Sequence, residues 1–388
     1  MARSIVTDTF GDAEKSFDQW RDSYIEKATQ VGISDETLKH AMPFLVLDPS
    51  IHAQQSNQSE FALNISQYLD RAVTLERVSK GRATFRNQRQ ILNDIAEAYR
   101  VDPQVILAIW GVETDYGRVR GAHSVLTALG NLAHNGHRAS FFEAELTTAL
   151  SIIDGGHVDA DAMLGSWAGA MGHGQFMPSS FLNFAVDHDQ DGRRDIWSND
   201  PTDGLASIAN YLAQHDWHES QPWGIEVQLT DGFDFTQAGP EHRLPTADWN
   251  GMGVCTIEGT ALPDYGDASV LCPSGATGPA FLVNHNFHVI LTYNRAEAYG
   301  IAVGYLSDRL AGSRAKITPC PEGLTPLTRG QMAQLQMRLT AAGYDTQGAD
   351  GFTGPNTRTA LRAYQNDIGL IPDGFATLAL LNGLAPSA

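Results

Sequence analysis

A chain of 388 residues is long enough for two or three domains and at least one sizeable core. Its 42% apolar and 18% charged residues exclude a disordered or fibrous chain. Twenty-six basic against 45 acidic residues leave a net charge of −19 with no basic cluster, which excludes nucleic acid and suits a neutral or sugar-like ligand, although solubility alone accounts equally well for the acidity.

No stretch reaches the roughly 20 apolar residues of a membrane helix, so no membrane-spanning segment is expected. The opening MARSIVTDTFGDAEKSF holds no apolar run for a secretory core. The chain is therefore expected to be cytosolic, or a mature form whose export signal has been removed. FRNQRQILNDIAEAYRV predicts a helix over 85–101, with Ile91, Ile95 and Ala98 on one face.

Asp102-Pro103 then predicts a helix start, with Asp as N-cap and Pro in the first turn, and Gly117 predicts its end. Ile106, Ile109 and Trp110 share a face with Glu113, which falls in the last turn. An apolar wall and the negative end of the helix dipole both raise the proton affinity of such a carboxyl. A carboxylic acid kept protonated near neutral pH is what a general acid requires. The competing reading is a glutamate paired with a buried arginine, or turned outward at the helix end. Asp115, two positions on, points elsewhere and reads as a helix-end or loop residue, not as a second catalytic acid.

His134 and His137 read as loop histidines without a third metal ligand. SFFEAELTTALSIID predicts a helix opened by a Ser140–Glu143 capping box and closed at Gly155-Gly156. In SWAGAMGHGQFMPSSF (166–181) small residues permit close backbone approach. Ser166, Gln175 and Ser179 supply neutral hydrogen-bonding groups among Trp167, Met171, Phe176 and Met177. That mixture suits a groove for sugar rings and N-acetyl groups; a glycine-rich helix crossing in an ordinary core is the alternative.

DHDQDGRRDIWS (187–198) has the spacing of a calcium loop. Asp187, Asp189 and Asp191 stand at positions 1, 3 and 5, Gly192 at 6, Arg193 offering its carbonyl at 7, and Asp195 at 9. Ser198 replaces the usual glutamate at position 12, so the closing ligand must come from elsewhere. Four aspartates in nine residues repel one another unless a cation sits among them, and a structural calcium ion is expected; a solvated acidic turn is the alternative.

TDGLASIANYLAQH (202–215) is a further amphipathic run. From 222 to 286, runs such as GIEVQL and AFLVNH alternate with Pro, Gly and Asp, which predicts a β-rich insertion. Helical signal returns over 293–312. The segment 313–326 holds three prolines and reads as a linker. From 327 to 388 three short helices are expected in a minimal binding module, with Leu335 and Leu339 on one stripe and Tyr364 and Leu335 in its core. Cys255 and Cys272 bracket a loop-rich stretch and are a guess for a disulfide in an exported protein, leaving Cys320 over. No phosphate-binding loop and no Gly-x-Ser-x-Gly elbow is present, and no organic cofactor is expected.

Taken together, WGVETDYG, SWAGAMGHGQFMPSSF and NFHVILTYNRAEAYGIAVG resemble the family B lytic murein transglycosylases over roughly residues 12–312. The tail LQMRLTAAGYD…DGFTGPNTRTALRAYQ resembles the three-helix peptidoglycan-binding domain. The resemblance implies a mainly α (α+β) fold: a lysozyme-like catalytic domain over 1–312 with a small β-containing insertion at 222–286, a linker, and the module at 327–388. It places the acid/base on Glu113 and cleft residues on Ser166, Gln175, Asn294 and Tyr299. His173 and Phe176 join them as substrate-binding positions, His173 standing where the family usually has an aromatic tyrosine. Asp203 matches the family's late calcium-binding aspartate, with Asp200 as a second option.

The implied reaction cleaves the MurNAc–GlcNAc bond without water. Glu113 protonates the glycosidic oxygen, the N-acetyl group assists, and Glu113 then takes the C6 hydroxyl proton to close a 1,6-anhydro ring. The expected partner is the peptidoglycan glycan strand, together with other cell-wall enzymes. The expected location is periplasmic or exported, with association with the outer membrane. A muramidase that admits water, and a non-catalytic wall-binding protein, are the alternatives.

Overall fold

The structure, a computed structural model, describes residues 16–57, 63–135 and 138–384; the expectations on the first fifteen residues and on His137 lie outside the described residues. The chain is mainly helical with a small sheet, as the fold class anticipates, and divides into two compact units.

The first unit takes the described residues up to Gln54, then Gly121–Met171 and Phe176–Asn183. Phe17–Gln30 opens with a capping box between Ser16 and Gln19, and Asp35–Ala41 opens on the Ser34 hydroxyl. Helices Val125–Asn135 and Ala139–Asp154 pack together, while Ile51, Ala128 and Leu132 are sealed under Phe142 and Trp167. The capping box expected at Ser140 does not form. Arg138, at φ 72°, is the N-cap, and Glu143 instead pairs with Lys27 at 2.8 Å, a tertiary ion pair prevailing over a local cap. His134 lies in the last turn of its helix, not in a loop, with its ring edge-on to Phe17. Two short strands, β1 (His123–Ser124) and β2 (Leu164–Gly165), pair antiparallel. Buried Glu145 accepts from Ser179 N at 2.9 Å and Ser179 Oγ at 2.7 Å, placing its charge at the start of helix Pro178–Phe184.

The second unit holds the remaining residues. The helix expected over 85–101 is two helices, Leu75–Asn87 and Arg89–Tyr99, because Gln88 (ψ 19°) interrupts the helical backbone. Pro103–Thr114 and Thr202–Gln214 follow. The predicted β-rich stretch contains β3 (Gly224–Leu229), β4 (Leu244–Pro245), β5 (Val254–Thr256), β6 (Asp267–Leu271) and β7 (Ala280–Val283). They form an antiparallel sheet in the order β4-β6-β7-β3-β5 around fully buried Trp249, whose indole N–H donates to Ala268 O at 2.8 Å. Helices His285–Tyr293 and Glu297–Ala311 run on from the sheet.

All three cysteines are free thiols, so the guessed Cys255–Cys272 disulfide is not formed. Cys255 lies on β5 and Cys272 just after β6, three strand spacings apart, or about 14 Å at about 4.8 Å per step. A disulfide spans Cα atoms at most about 7 Å apart.

The tail comprises helices Arg329–Ala341, Pro355–Asp367 and Leu378–Gly383 around Leu335, Leu339, Leu361 and Tyr364. Asp350 and Gly351 serve its structure: buried Gln336 donates to Asp350 Oδ1 at 3.1 Å and accepts from Gly351 N at 2.8 Å. Among the described residues no helix is long and apolar enough to cross a membrane.

Candidate active site

Helix Pro103–Thr114 is buried along nearly its whole length, with Val105 to Gly111 and Thr114 in the core. Pro103 fills the first turn as expected, but Asp102 does not cap it. The Asp102 carboxylate accepts instead from Trp217 Nε1 at 2.9 Å and from Ser220 N at 3.1 Å, tying the helix start to a distant loop. The helix ends at Asp115, left-handed at φ 50°, two residues before the expected stop.

Glu113 occupies the last turn and retains some accessible surface. Burial pushes its carboxyl up from 4.5 to about 7, against an opposing hydrogen bond donated by Tyr299 Oη to Oε1 at 2.6 Å. Among the described residues Glu113 makes no ion pair, which removes the buried-arginine reading. Burial also pushes Asp115 upward, but Lys80 Nζ at 2.9 Å and Arg118 Nε at 2.6 Å outweigh it and hold that carboxyl below the usual range. One acid is neutral-leaning and the other is fixed as an anion. Their environments separate the two.

Tyr299 sits in the first turn of Glu297–Ala311, which packs along the Glu113 helix. Two tyrosines the sequence reading missed, Tyr68 and Tyr293, also feel the Glu113 charge: burial and then that charge raise both phenols. Tyr293 donates to Gly174 O at 2.5 Å and so holds the Gly172–Gln175 segment. Its place beside Asn294 in LTYN was the only available signal. Tyr299→Phe removes the bond that stabilises the charged form of Glu113, so the pKa of that carboxyl should rise further. The alkaline limit of activity should then move to higher pH, which a pH–rate profile beside wild type checks.

The structure keeps Gln175 and Asn294 in the same unit as Glu113. Gln175, at φ 52°, donates from Nε2 to Gly172 O at 3.0 Å and Arg120 O at 3.2 Å; exposed Asn294 follows Tyr293 and accepts from Ala296 N. Ser166 and Phe176 belong to the first unit. There the Ser166 hydroxyl accepts from Ala168 and Ala170 N–H groups, and Phe176, 3% exposed, pairs its backbone with Met171. Phe176 therefore offers almost no ring surface to a ligand.

His173 requires a correction. It is 2% exposed and packs against the Glu113 helix through Trp110 and Thr114, so it offers almost no ring surface to a sugar. Trp110 Nε1 donates to its Nδ1 at 2.9 Å, which leaves the ring hydrogen on Nε2, 3.0 Å from Ser198 O. Arg120 lies against the same nitrogen and also donates to Ser198 O. Burial, with Arg120 adding to it, pushes the imidazole down to about 4, so it does not titrate near neutrality as its type suggests. A Cβ at Gly117 or Gly204 would come within 2.7–2.8 Å of the His173 side chain, which is why small residues flank it.

In the acidic loop, Asp187, Asp189 and Asp191 bring carboxylate oxygens within 4.8 Å of one another, with Gly192 at φ 93° making the turn. Oxygen-only donors of like charge fit a hard cation such as calcium. Asp203 clasps the loop, accepting from His188 N and Asp195 N at 2.8 Å each. Asp195 accepts from Trp197 N and Ser198 N, and Arg193 N donates to Asp191 Oδ1, so these two order the loop's backbone. Asp200 accepts from the Thr202 N–H and hydroxyl and does not join the cluster.

Comparison with known proteins accords with this geometry. Residues 16–308 match the transglycosylase SLT domain and residues 328–384 the putative peptidoglycan binding domain. The chain is 32% identical over 252 residues to membrane-bound lytic murein transglycosylase B of Escherichia coli (strain K12), covering 64% of this chain and 68% of that protein. The structure of SltB3 from Pseudomonas aeruginosa in complex with NAG-anhNAM-pentapeptide aligns with a TM-score of 0.92 at 43% identity, over 95% of this chain and 99% of that one. The Escherichia coli lytic transglycosylase Slt35 in complex with calcium aligns at 0.64 and 30% identity, over 76% and 93%. The lone raised glutamate, the helical frame around it and these kinships lead to one conclusion: the chain belongs to the SLT transglycosylase family and is a peptidoglycan lytic transglycosylase with a peptidoglycan-binding domain.

Proposed function

We propose that Glu113 alone carries the chemistry, first as acid and then as base. The supporting observation is its carboxyl, raised to about 7 by burial and touched by a neutral phenol, not by a cation. Protonated, it donates to the bridging oxygen between MurNAc and GlcNAc as the C1–O bond breaks, with the muramyl N-acetyl oxygen closing on C1. The resulting carboxylate then accepts the C6 hydroxyl proton as O6 bonds to C1 and releases the N-acetyl group. The proton given in the first step returns in the second, no water is consumed, and the product ends in 1,6-anhydro-MurNAc. Asp115, held by Lys80 and Arg118, is unsuited to serve as a second catalytic carboxylate.

Gln175, Asn294 and Tyr299 of the second unit are proposed to contact the glycan, Ser166 of the first unit is proposed separately as a substrate-binding residue, and the chain is proposed to divide at 313–326 between catalysis and wall binding. The neighbour bound to NAG-anhNAM-pentapeptide supports this substrate class. A cell-wall substrate also supports a periplasmic or exported location, association with the outer membrane, and cooperation with other wall enzymes. Mass analysis of muropeptides released by wild type and Glu113→Gln tests the reading: anhydro ends from wild type and none from the variant are expected. Hydrolysed ends, heavier by one water, would show a muramidase instead.

We further propose that Asp187, Asp189, Asp191, the Arg193 carbonyl, Asp195 and Asp203 hold a structural calcium ion, which would neutralise the clustered charge. The calcium-bound neighbour supports the choice of ion. At 100-fold excess over Kd, such binding adds about 2.7 kcal/mol to stability. Melting should therefore rise with calcium over chelator in wild type, and Asp187→Ala should abolish the rise; identical melting would rule the site out.

A further inference from the structure

A second cluster of ligand-type side chains lies apart from the acidic loop and has no part in the proposed chemistry. Asp216 and His218 stand in the loop after helix Thr202–Gln214, and His285 opens helix His285–Tyr293. The two imidazoles stack with centroids 4.1 Å apart and planes 17° from parallel. Each Nε2 is 3.4 Å from Asp216 Oδ2, and one ligand atom from each residue falls within a common 4.8 Å.

The surrounding backbone holds this arrangement in place. Fully buried Asn286 accepts from His218 N at 2.9 Å and donates to His218 O and Gln221 O at 2.8 Å each, so the loop is fixed to the helix that carries His285. The adjoining Trp217 is anchored by its hydrogen bond to Asp102. Beside the cluster a cavity of about 300 Å³ opens, lined by His218, Glu219, Gln221, Tyr265, Asn284 and His285. It leaves room for solvent or a further oxygen ligand.

Two imidazole nitrogens and one carboxylate are a borderline-soft donor set. It differs in kind from the all-oxygen loop, and it suits zinc over calcium or magnesium. We propose that Asp216, His218 and His285 form a zinc site, taking the ion through the Asp216 carboxylate and the Nε2 atoms of both histidines. Without metal, His285 Nε2 faces Asp216 O at 2.7 Å and donates to it. Binding turns the two stacked rings out of parallel so that their Nε2 lone pairs meet at the ion, moves that hydrogen to Nδ1 and gives up the bond, costs that limit affinity. Three protein ligands leave a fourth position for water. The ion would pin the loop after one buried helix to the start of the helix that ends in Tyr293.

The test uses the untagged full-length chain, stripped with chelator and then saturated with calcium so that the acidic loop does not compete. Isothermal titration with zinc is expected to show one equivalent bound and a raised melting midpoint. His218→Ala and His285→Ala, each checked for native circular dichroism and wall cleavage, should weaken zinc at least about tenfold and lose the thermal shift. Cobalt in place of zinc should give the visible absorption of a four-coordinate nitrogen–oxygen site in wild type alone. Absence of zinc binding, or equal affinity in both variants, would overturn the proposal. Should the alanine variants misfold, His218→Asn replaces them, with the same loss expected and retained affinity counting against the site.

Discussion

Glu113→Gln is expected to lower cleavage of purified peptidoglycan by about 10²–10⁴-fold, the span general acid–base groups contribute. The amide keeps the shape of the side chain and still accepts the Tyr299 hydroxyl through its oxygen, but it can neither give nor take the travelling proton. Stability should move the other way. The carboxyl of the folded chain is raised from 4.5 to about 7. Below 4.5 both folded and unfolded chains are protonated and burial carries no ionisation cost. Between those values the unfolded chain releases a proton that the folded one retains, so stability falls as pH rises, and above about 7 the loss is complete. The inactive variant should therefore melt higher than wild type at pH 8 and no higher at pH 4. Thermal scans at the two values check this. Loss of activity together with lower stability at both would show a disrupted helix, not a missing proton carrier.

Asp308→Asn is expected to stabilise the protein at neutral pH. Asp308 lies on the helix that carries Tyr299 and accepts from Trp223 Nε1 at 2.9 Å. Burial pushes its carboxyl from 3.8 to about 6 against that hydrogen bond. Ionisation at pH 7 therefore costs stability on the order of 1–3 kcal/mol, at roughly 1.4 kcal/mol per pH unit of displacement. Asparagine keeps an oxygen acceptor for the indole and carries no charge to bury. Urea midpoints should rise for the variant at pH 7, and the gap should close as pH falls below the ordinary aspartate value of 3.8, where the carboxyl is mostly protonated in both states. Equal destabilisation at both pH values would show that the contact with Trp223, not the charge, dominates.

Much of the fold was legible because apolar spacing and punctuation agree along the chain. Pro103 starts its helix, Thr202–Gln214 and the tail helices lie where their periodicity puts them, and GIEVQL is a strand. Where local chemistry misled, a tertiary partner had intervened. Asp102 was drawn to Trp217 and Ser220, and Glu143 to Lys27, so neither helix received its expected cap. Glu113 stood out because a carboxylate on an apolar face is costly unless it is used. Tyr68 and Tyr293 did not, because a tyrosine on a helix has ordinary packing as its commonest role. The burial of His173 was not legible because sequence spacing cannot distinguish a side chain open to a groove from one enclosed against a helix. The Asp216–His218–His285 cluster combines residues almost 70 positions apart and was invisible before folding.

The His173 ring packed against the Glu113 helix has both nitrogens engaged, one by an indole and the other by a carbonyl. It stays uncharged down to about pH 4. Acidification of the surroundings by a unit or two therefore leaves this support of the Glu113 helix uncharged. On the proposed mechanism Glu113 carries the catalytic response to acidity, and a titration of turnover should trace a descending step on the basic side near pH 7 instead of a bell.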